Sequence, residues 1–201
     1  MPDFVYFCPR IAKITLMDDS QLKERMGWLR GELLALVTDD DTYWRLQEDV
    51  IKRNPRLLRM RSPYFDMLNF AYVSTTTSAI RRLTEKQNRD KTNVSLSIVL
   101  EKLEKRQTIS GNQVPQLQIR LDLVRLEDLA NVVKPYVDRI IAHQRQARDC
   151  RTAEIRQSRK CVSILADTFR RYYVLIEGVD LELKIEYLED FDIFKFPWIA
   201  N

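Results

Sequence analysis

The sequence predicts an all-α fold. Apolar residues recur every three or four positions along most of the chain, the spacing of one buried helix face. Only 4 of 201 residues are glycine, which argues against a turn-rich sandwich, barrel or propeller whose hairpins need positive φ. Strand-like alternation is confined to one short stretch, Leu181, Leu183, Ile185 and Tyr187.

Residues 1–18 read as irregular or as a short strand. Ser20 is the expected N-cap of a first helix, whose apolar face is Leu22, Met26, Leu29, Leu33, Leu36 and Val37. Asp39-Asp40-Asp41 is expected to end it and to cap a second helix from Thr42, with Tyr43, Leu46, Val50 and Ile51 inward and Asn54-Pro55 as its stop. Ser62-Pro63 opens a third helix running to about Arg89. Its middle, Val73 to Ser78, has poor intrinsic propensity and needs tertiary packing to stay helical. After the charged loop Lys86 to Asn93, Ser95 starts a short helix carrying Leu96, Val99, Leu100 and Leu103.

Thr108 to Pro115 reads as loop. A long helix follows from Gln116 to about Arg148, with Pro135 as a kink or break. The last helix spans roughly Arg156 to Glu177, with Cys161, Ile164, Leu165, Thr168, Phe169, Tyr172 and Leu175 as its stripe and Gly178 as its stop. The expected organisation is a helical domain over 1–178 and an acidic, aromatic tail over 179–201 that docks on it, strand-patterned at its start. Trp28, Trp44 and Trp198 read as core or docking residues.

Composition narrows the chemistry. The chain holds a single histidine, His143, which excludes metal centres built on two or more histidines. Cys8, Cys150 and Cys161 have no metal-ligand spacing and read as reduced thiols. The scattered glycines form no phosphate-binding loop. Asp39-Asp40-Asp41 is explained more simply as a cap than as a divalent-metal site, and Ser74 to Ser78 has no base of its own for a hydrolase. No metal or cofactor is expected. Nor is a signal peptide or a membrane span, so a cytoplasmic protein is the expectation.

The net charge is +4, and its distribution is uneven. Arginines and lysines dominate from Arg139 to Lys160, and acids dominate from Glu177 to Asp192. Such blocks make either a polarised surface or two solvated helix faces.

The lone histidine has a notable neighbour. In a helix, Val132, Tyr136, Arg139 and His143 share one row at the rim of the apolar face formed by Leu129, Val133, Val137 and Ile140. Arg139 and His143 are then one turn apart. Imidazole transfers protons near neutrality, and Arg holds phosphate through two donors. RNA carries its own nucleophile, the 2′-OH, so this pair is a minimal set of parts for cleaving it. The same spacing also fits two rim residues, with His143 hydrogen-bonded within a bundle.

Ile80-Arg81-Arg82-Leu83, the loop Asn88-Arg89-Asp90, and Val94 to Leu103 resemble the second- and third-helix region of the HEPN superfamily, in its AbiU-like abortive-infection branch. Tyr136-Val137-Asp138-Arg139-Ile140-Ile141-Ala142-His143 resembles that branch's later "DR..AH" segment, and Tyr43-Trp44-x-Leu46 and Tyr64 to Tyr72 fall at its early helices. The resemblance covers about residues 25–176. It implies an up-and-down helical bundle that forms a homodimer, with an Arg and a His from each copy facing one another to cleave RNA without metal. It assigns proton transfer to His143, the phosphate to Arg139, and the polar position beside it to Asp138. Arg145, with Arg148 in the basic run that follows, is the candidate for further RNA contact. It also implies a toxin or effector role in phage defence or a toxin–antitoxin system, with an antitoxin or other protein as partner. The superfamily's usual motif has four to six residues between Arg and His, and here three intervene. The alternative is therefore a non-catalytic HEPN-like module that binds RNA or protein.

Overall fold

The computed structural model describes residues 17–51, 63–86, 94–138 and 152–181. These form helices α1 (Asp19–Arg45), α2 (Pro63–Thr84), α3 (Leu96–Glu104), α4 (Gln116–Tyr136) and α5 (Thr152–Glu177). A hairpin of β1 (Thr108–Ile109) and β2 (Asn112–Gln113) precedes α4. The architecture is an all-α bundle, in which α2 packs against α4, α5 and α1, and α3 packs against α4. Among the described residues, no helix is long and apolar enough to cross a membrane.

The predicted stripes supply much of the core, joined by Ile80, Leu126 and Ile176, which no predicted stripe contained, while Thr75 of the third-helix stripe is exposed. Leu22, Met26, Leu29, Leu33 and Leu36 of α1 pack with Ile80 and Leu83 of α2, Val99, Leu100 and Leu103 of α3, Leu126 and Val133 of α4, and Leu165, Phe169, Tyr172 and Ile176 of α5. Cys161 is a buried free thiol in this core, and burial pushes its pKa up. The weak stretch of α2 is held as its propensities require. Val73, Thr76 and Thr77 are buried, while the Thr77 and Ser78 hydroxyls donate to the carbonyls of Val73 and Ser74 at 2.6 and 2.7 Å. Burial against the bundle offsets the missing propensity, and the back-bonds satisfy the Thr77 and Ser78 hydroxyls.

Several local expectations are corrected. The N-cap of α1 is Asp18, not Ser20. Its carboxylate accepts from the Gln21 amide at 2.7 Å, and the Gln21 side chain accepts from the Asp18 amide at 3.2 Å. That reciprocal pair satisfies two orphan donors. Asp39-Asp40-Asp41 neither ends α1 nor caps a second helix. The helix runs on to Arg45 and passes into a π-helical turn at Leu46–Ile51. The carboxylates are used sideways instead: Asp40 faces inward, and Asp41 pairs with Arg45 at 2.8 Å. The third helix stops at Thr84 rather than near Arg89, and the last one starts at Thr152 rather than Arg156. The stretch 108–115 holds a hairpin, in which Ile109 pairs with Asn112 across Ser110 and Gly111, at φ 47° and 82°. Two positive φ values in succession mark a primed two-residue turn.

Other expectations hold. Ser95 caps α3, its hydroxyl accepting from the Ile98 amide at 3.2 Å and donating to the Glu85 carbonyl at 2.5 Å. Gly178 follows α5 at φ 73°, its amide bonded to the Val174 carbonyl. Trp28 is 43% exposed and so is not a core residue. The expected strand or irregular start, the Asn54-Pro55 stop, Trp198 and the tail from residue 182 lie outside the described residues.

Candidate functional site

The site predicted from sequence begins where α4 ends. Pro135 lies inside this helix and supplies no backbone donor, and the backbone widens to π-helical form at Val137 and Asp138. Val133 and Val137 point into the bundle. Asp138, at the rim, accepts a hydrogen bond from Arg81 of α2 at 3.2 Å, with both side chains about half exposed. Arg139, the next residue, lies outside the described residues, as do His143, Arg145 and Arg148. Of the five predicted site residues, only Asp138 therefore has a described environment.

The end of α4 and the start of α5 meet at a second, smaller core. This core consists of Tyr43, Tyr72, Val73 and Ile155, with Tyr136, Trp44, Leu68 and Phe70 packed against it. Tyr43 and Tyr72 stack with ring centroids 3.8 Å apart. Tyr136 approaches from the end of α4 and Ile155 from the start of α5. Both ends of the segment that carries Arg139 and His143 are thus anchored on one aromatic cluster.

A polar network runs through this cluster. The Tyr72 hydroxyl donates to buried Asp40, and Trp44 Nε1 donates to the Tyr72 oxygen at 3.3 Å. Arg159 of α5 sits 4.6 Å over the Trp44 ring, 4.0 Å from Asp40 and 3.7 Å from Glu48. Tyr43 donates to Asn69 at 2.7 Å, and Gln47 donates to Tyr43 at 3.0 Å. Burial raises the Asp40 pKa, opposed by the Tyr72 hydrogen bond and the Arg159 charge. Burial also pushes the Tyr72 phenol well above its usual range, and Asp40 adds to the shift. Arg159, one of the arginines in the basic block, thus reaches inward to an aromatic face and two carboxylates.

A second buried carboxylate fastens α4 to α5. Asp122 is fully buried and accepts from Tyr172 at 2.9 Å, Gln118 at 3.2 Å, Arg125 at 3.3 Å, and Arg171. Burial alone would raise its pKa, but the hydrogen bonds from Arg171, Gln118 and Tyr172 outweigh it and hold the carboxyl below its ordinary value.

Sequence reasoning missed Asp40 and Asp122, yet Asp40 sits on a predicted apolar row and Asp122 on a buried row of α4. Asp40 continues the series Leu29, Leu33, Leu36, and Asp122 lies between Ile119 and Leu126. A charged residue in register with a buried stripe was the available signal. Arg81 had only its place in the Ile80 to Leu83 segment.

The HEPN_AbiU2 family model, described as AbiU2, matches residues 19–177. No curated protein and no solved structure matches the chain.

Proposed function

Because the chain belongs to the AbiU2 family, an abortive-infection-related HEPN module, we propose that it is a metal-independent endoribonuclease, an effector or toxin in phage defence or a toxin–antitoxin system. In this reading Arg139 holds the scissile phosphate and His143 moves the proton. The 2′-OH attacks the adjacent phosphorus as imidazole takes its proton. The bond to the 5′ oxygen breaks, and the imidazolium so formed gives its proton to that oxygen as it leaves. The products are a 2′,3′-cyclic phosphate and a 5′-hydroxyl, so no external oxidant or nucleophile enters. A homodimer would set two such pairs across one cleft.

The family match is the observation that carries this reading. The packing of Tyr136 and Ile155 on one cluster, with Asp138 bonded to Arg81, supports it, because a phosphate ligand must be held in a fixed place to act. The test is RNA cleavage by purified protein in EDTA, with cyclic-phosphate ends on the products. His143→Ala should abolish it, and cleavage by that variant would sink the assigned role. A second reading, a non-catalytic module that binds RNA or protein, is favoured by the three-residue gap between Arg139 and His143. It predicts salt-sensitive RNA affinity through Arg145 and Arg148 with no turnover.

A further inference from the structure

The first half of α4 carries an apolar row that no described part of the bundle covers. Leu117, Leu121 and Val124 are 74%, 50% and 58% exposed. At about 100° per residue they fall within roughly 60° of arc, a single stripe about 10 Å long. Arg120 and Arg125 flank it on either side, with side chains 66% and 57% exposed. Beside its start a cleft of about 990 Å³ opens between the hairpin and α4, lined by Gly111, Gln113, Val114, Pro115, Leu117 and Leu121.

The end of α5 comes to this same corner. Ser110, in the hairpin turn, donates to the Ile176 carbonyl at 3.2 Å. The chain then turns at Gly178, Asp180 is gripped by Arg170 at 3.0 Å, and Leu181 is buried in the core that holds Ile109 and Val114. Residues 182–201 therefore set out from a fixed point beside the hairpin. Extended, twenty residues reach about 60 Å, far more than the stripe requires. Their composition also suits it. Leu183, Ile185, Tyr187, Phe191, Phe194, Phe196 and Trp198 supply apolar area, and Glu182, Glu186, Glu189, Asp190 and Asp192 outnumber Lys184 and Lys195.

We propose that residues 182–201 dock in cis along the Leu117–Leu121–Val124 stripe of α4, passing the cleft beside the hairpin, with their acids toward Arg120 and Arg125. This assignment is independent of the nuclease reading. It concerns the end of α4 opposite to Asp138.

The test uses the full chain with a benzophenone amino acid in place of Leu121. Irradiation should give a product of monomer mass in which the α4 peptide is joined to a peptide from 182–201. A product of dimer mass places a second copy on the stripe and overturns the proposal, as does a cross-link elsewhere in the same chain or none at all. In parallel, the full-length double variant Leu117→Glu/Leu121→Glu should be cut by chymotrypsin after Tyr187 and Phe191 at least about tenfold faster than the parent chain. These side chains are exposed, so the bundle's circular dichroism should be unchanged. Equal cleavage rates in the two proteins overturn the proposal.

Discussion

Arg81 of α2 hydrogen-bonds Asp138, the last described residue before the Arg139–His143 segment, at 3.2 Å. Both side chains are about half exposed, so the pair adds little to stability, on the order of 0.5 kcal/mol. Its effect is on direction, because it ties the exit of α4 to the face of α2.

If Arg139 and His143 act on RNA, loosening this tie displaces them. Arg81→Ala should therefore cut the cleavage rate by roughly 10- to 100-fold, the range expected for a misplacement near 1 Å. Its melting temperature should stay within about 2 °C of the parent chain. Arg81→Lys should recover part of the rate. Full activity in Arg81→Ala would show that Asp138 needs no anchor.

Asp122 makes a stability prediction that is independent of function. It is fully buried and joined to Arg171, Tyr172, Gln118 and Arg125. Asp122→Ala removes the common acceptor and leaves buried Tyr172 without its partner. The expected loss is about 3 kcal/mol, read as a lower midpoint in urea denaturation. The pH dependence has a definite sign. Its pKa is lower in the folded state, so its contribution is present above the unfolded carboxylate value of about 3.9 and fades as pH falls through the folded value. Asp122→Asn should flatten the stability curve below about pH 4. An unchanged acid limb would refute the assignment.

A cap gives a smaller and more local effect. The Ser95 hydroxyl both accepts from the Ile98 amide and donates to the Glu85 carbonyl, in a buried position. Ser95→Ala should cost about 1–2 kcal/mol, or roughly 2–8 °C in melting temperature. Ser95→Asp should recover the amide contact but not the carbonyl one, and should fall between the two. A loss no larger than that of an exposed serine would remove the cap from the account.

The apolar spacing made the bundle legible, because burial selects one face of each helix and that selection is local in sequence. Ser95 and Gly178 were legible for the same reason, since caps act within four residues. The Asp39-Asp40-Asp41 reading failed because it weighed only local propensity, whereas the donor that Asp40 accepts from comes from afar. Tyr72 lies 32 residues from Asp40, and its hydroxyl turns a helix-ending residue into a core residue. Asp122 and Tyr172 are 50 residues apart. Such pairings have no spacing rule, and only their register with an apolar stripe betrays them. The hairpin was read as loop because its two-residue strands are too short to show alternation. Of the candidate site, the Arg139–His143 row is an expectation from helical spacing and lies outside the described residues, whereas the contacts of Arg81, Tyr43, Tyr72 and Ile155 depend on which helices meet.

Asp40 yields a prediction opposite in sign to that for Asp122. Burial raises its folded pKa, so it favours the folded state below the unfolded value of about 3.9, and that contribution is lost as pH rises through the folded value. At neutral pH the cluster therefore carries the cost of a buried carboxylate. Tyr72 and the more distant Arg159 offset that cost only in part. Asp40→Asn keeps an acceptor for the Tyr72 hydroxyl and removes the charge. Its melting temperature should equal or exceed that of the parent chain at pH 8, and the gap should close on acidification to pH 4. Tyr72→Phe strips the carboxylate of its hydroxyl donor and should cost about 1–3 kcal/mol at pH 8. In the Asp40→Asn background the same change should cost less, because an unpaired buried amide is cheaper than an unpaired buried carboxylate. Equal costs in the two backgrounds, measured as a double-mutant cycle, would show that Asp40 and Tyr72 are not coupled.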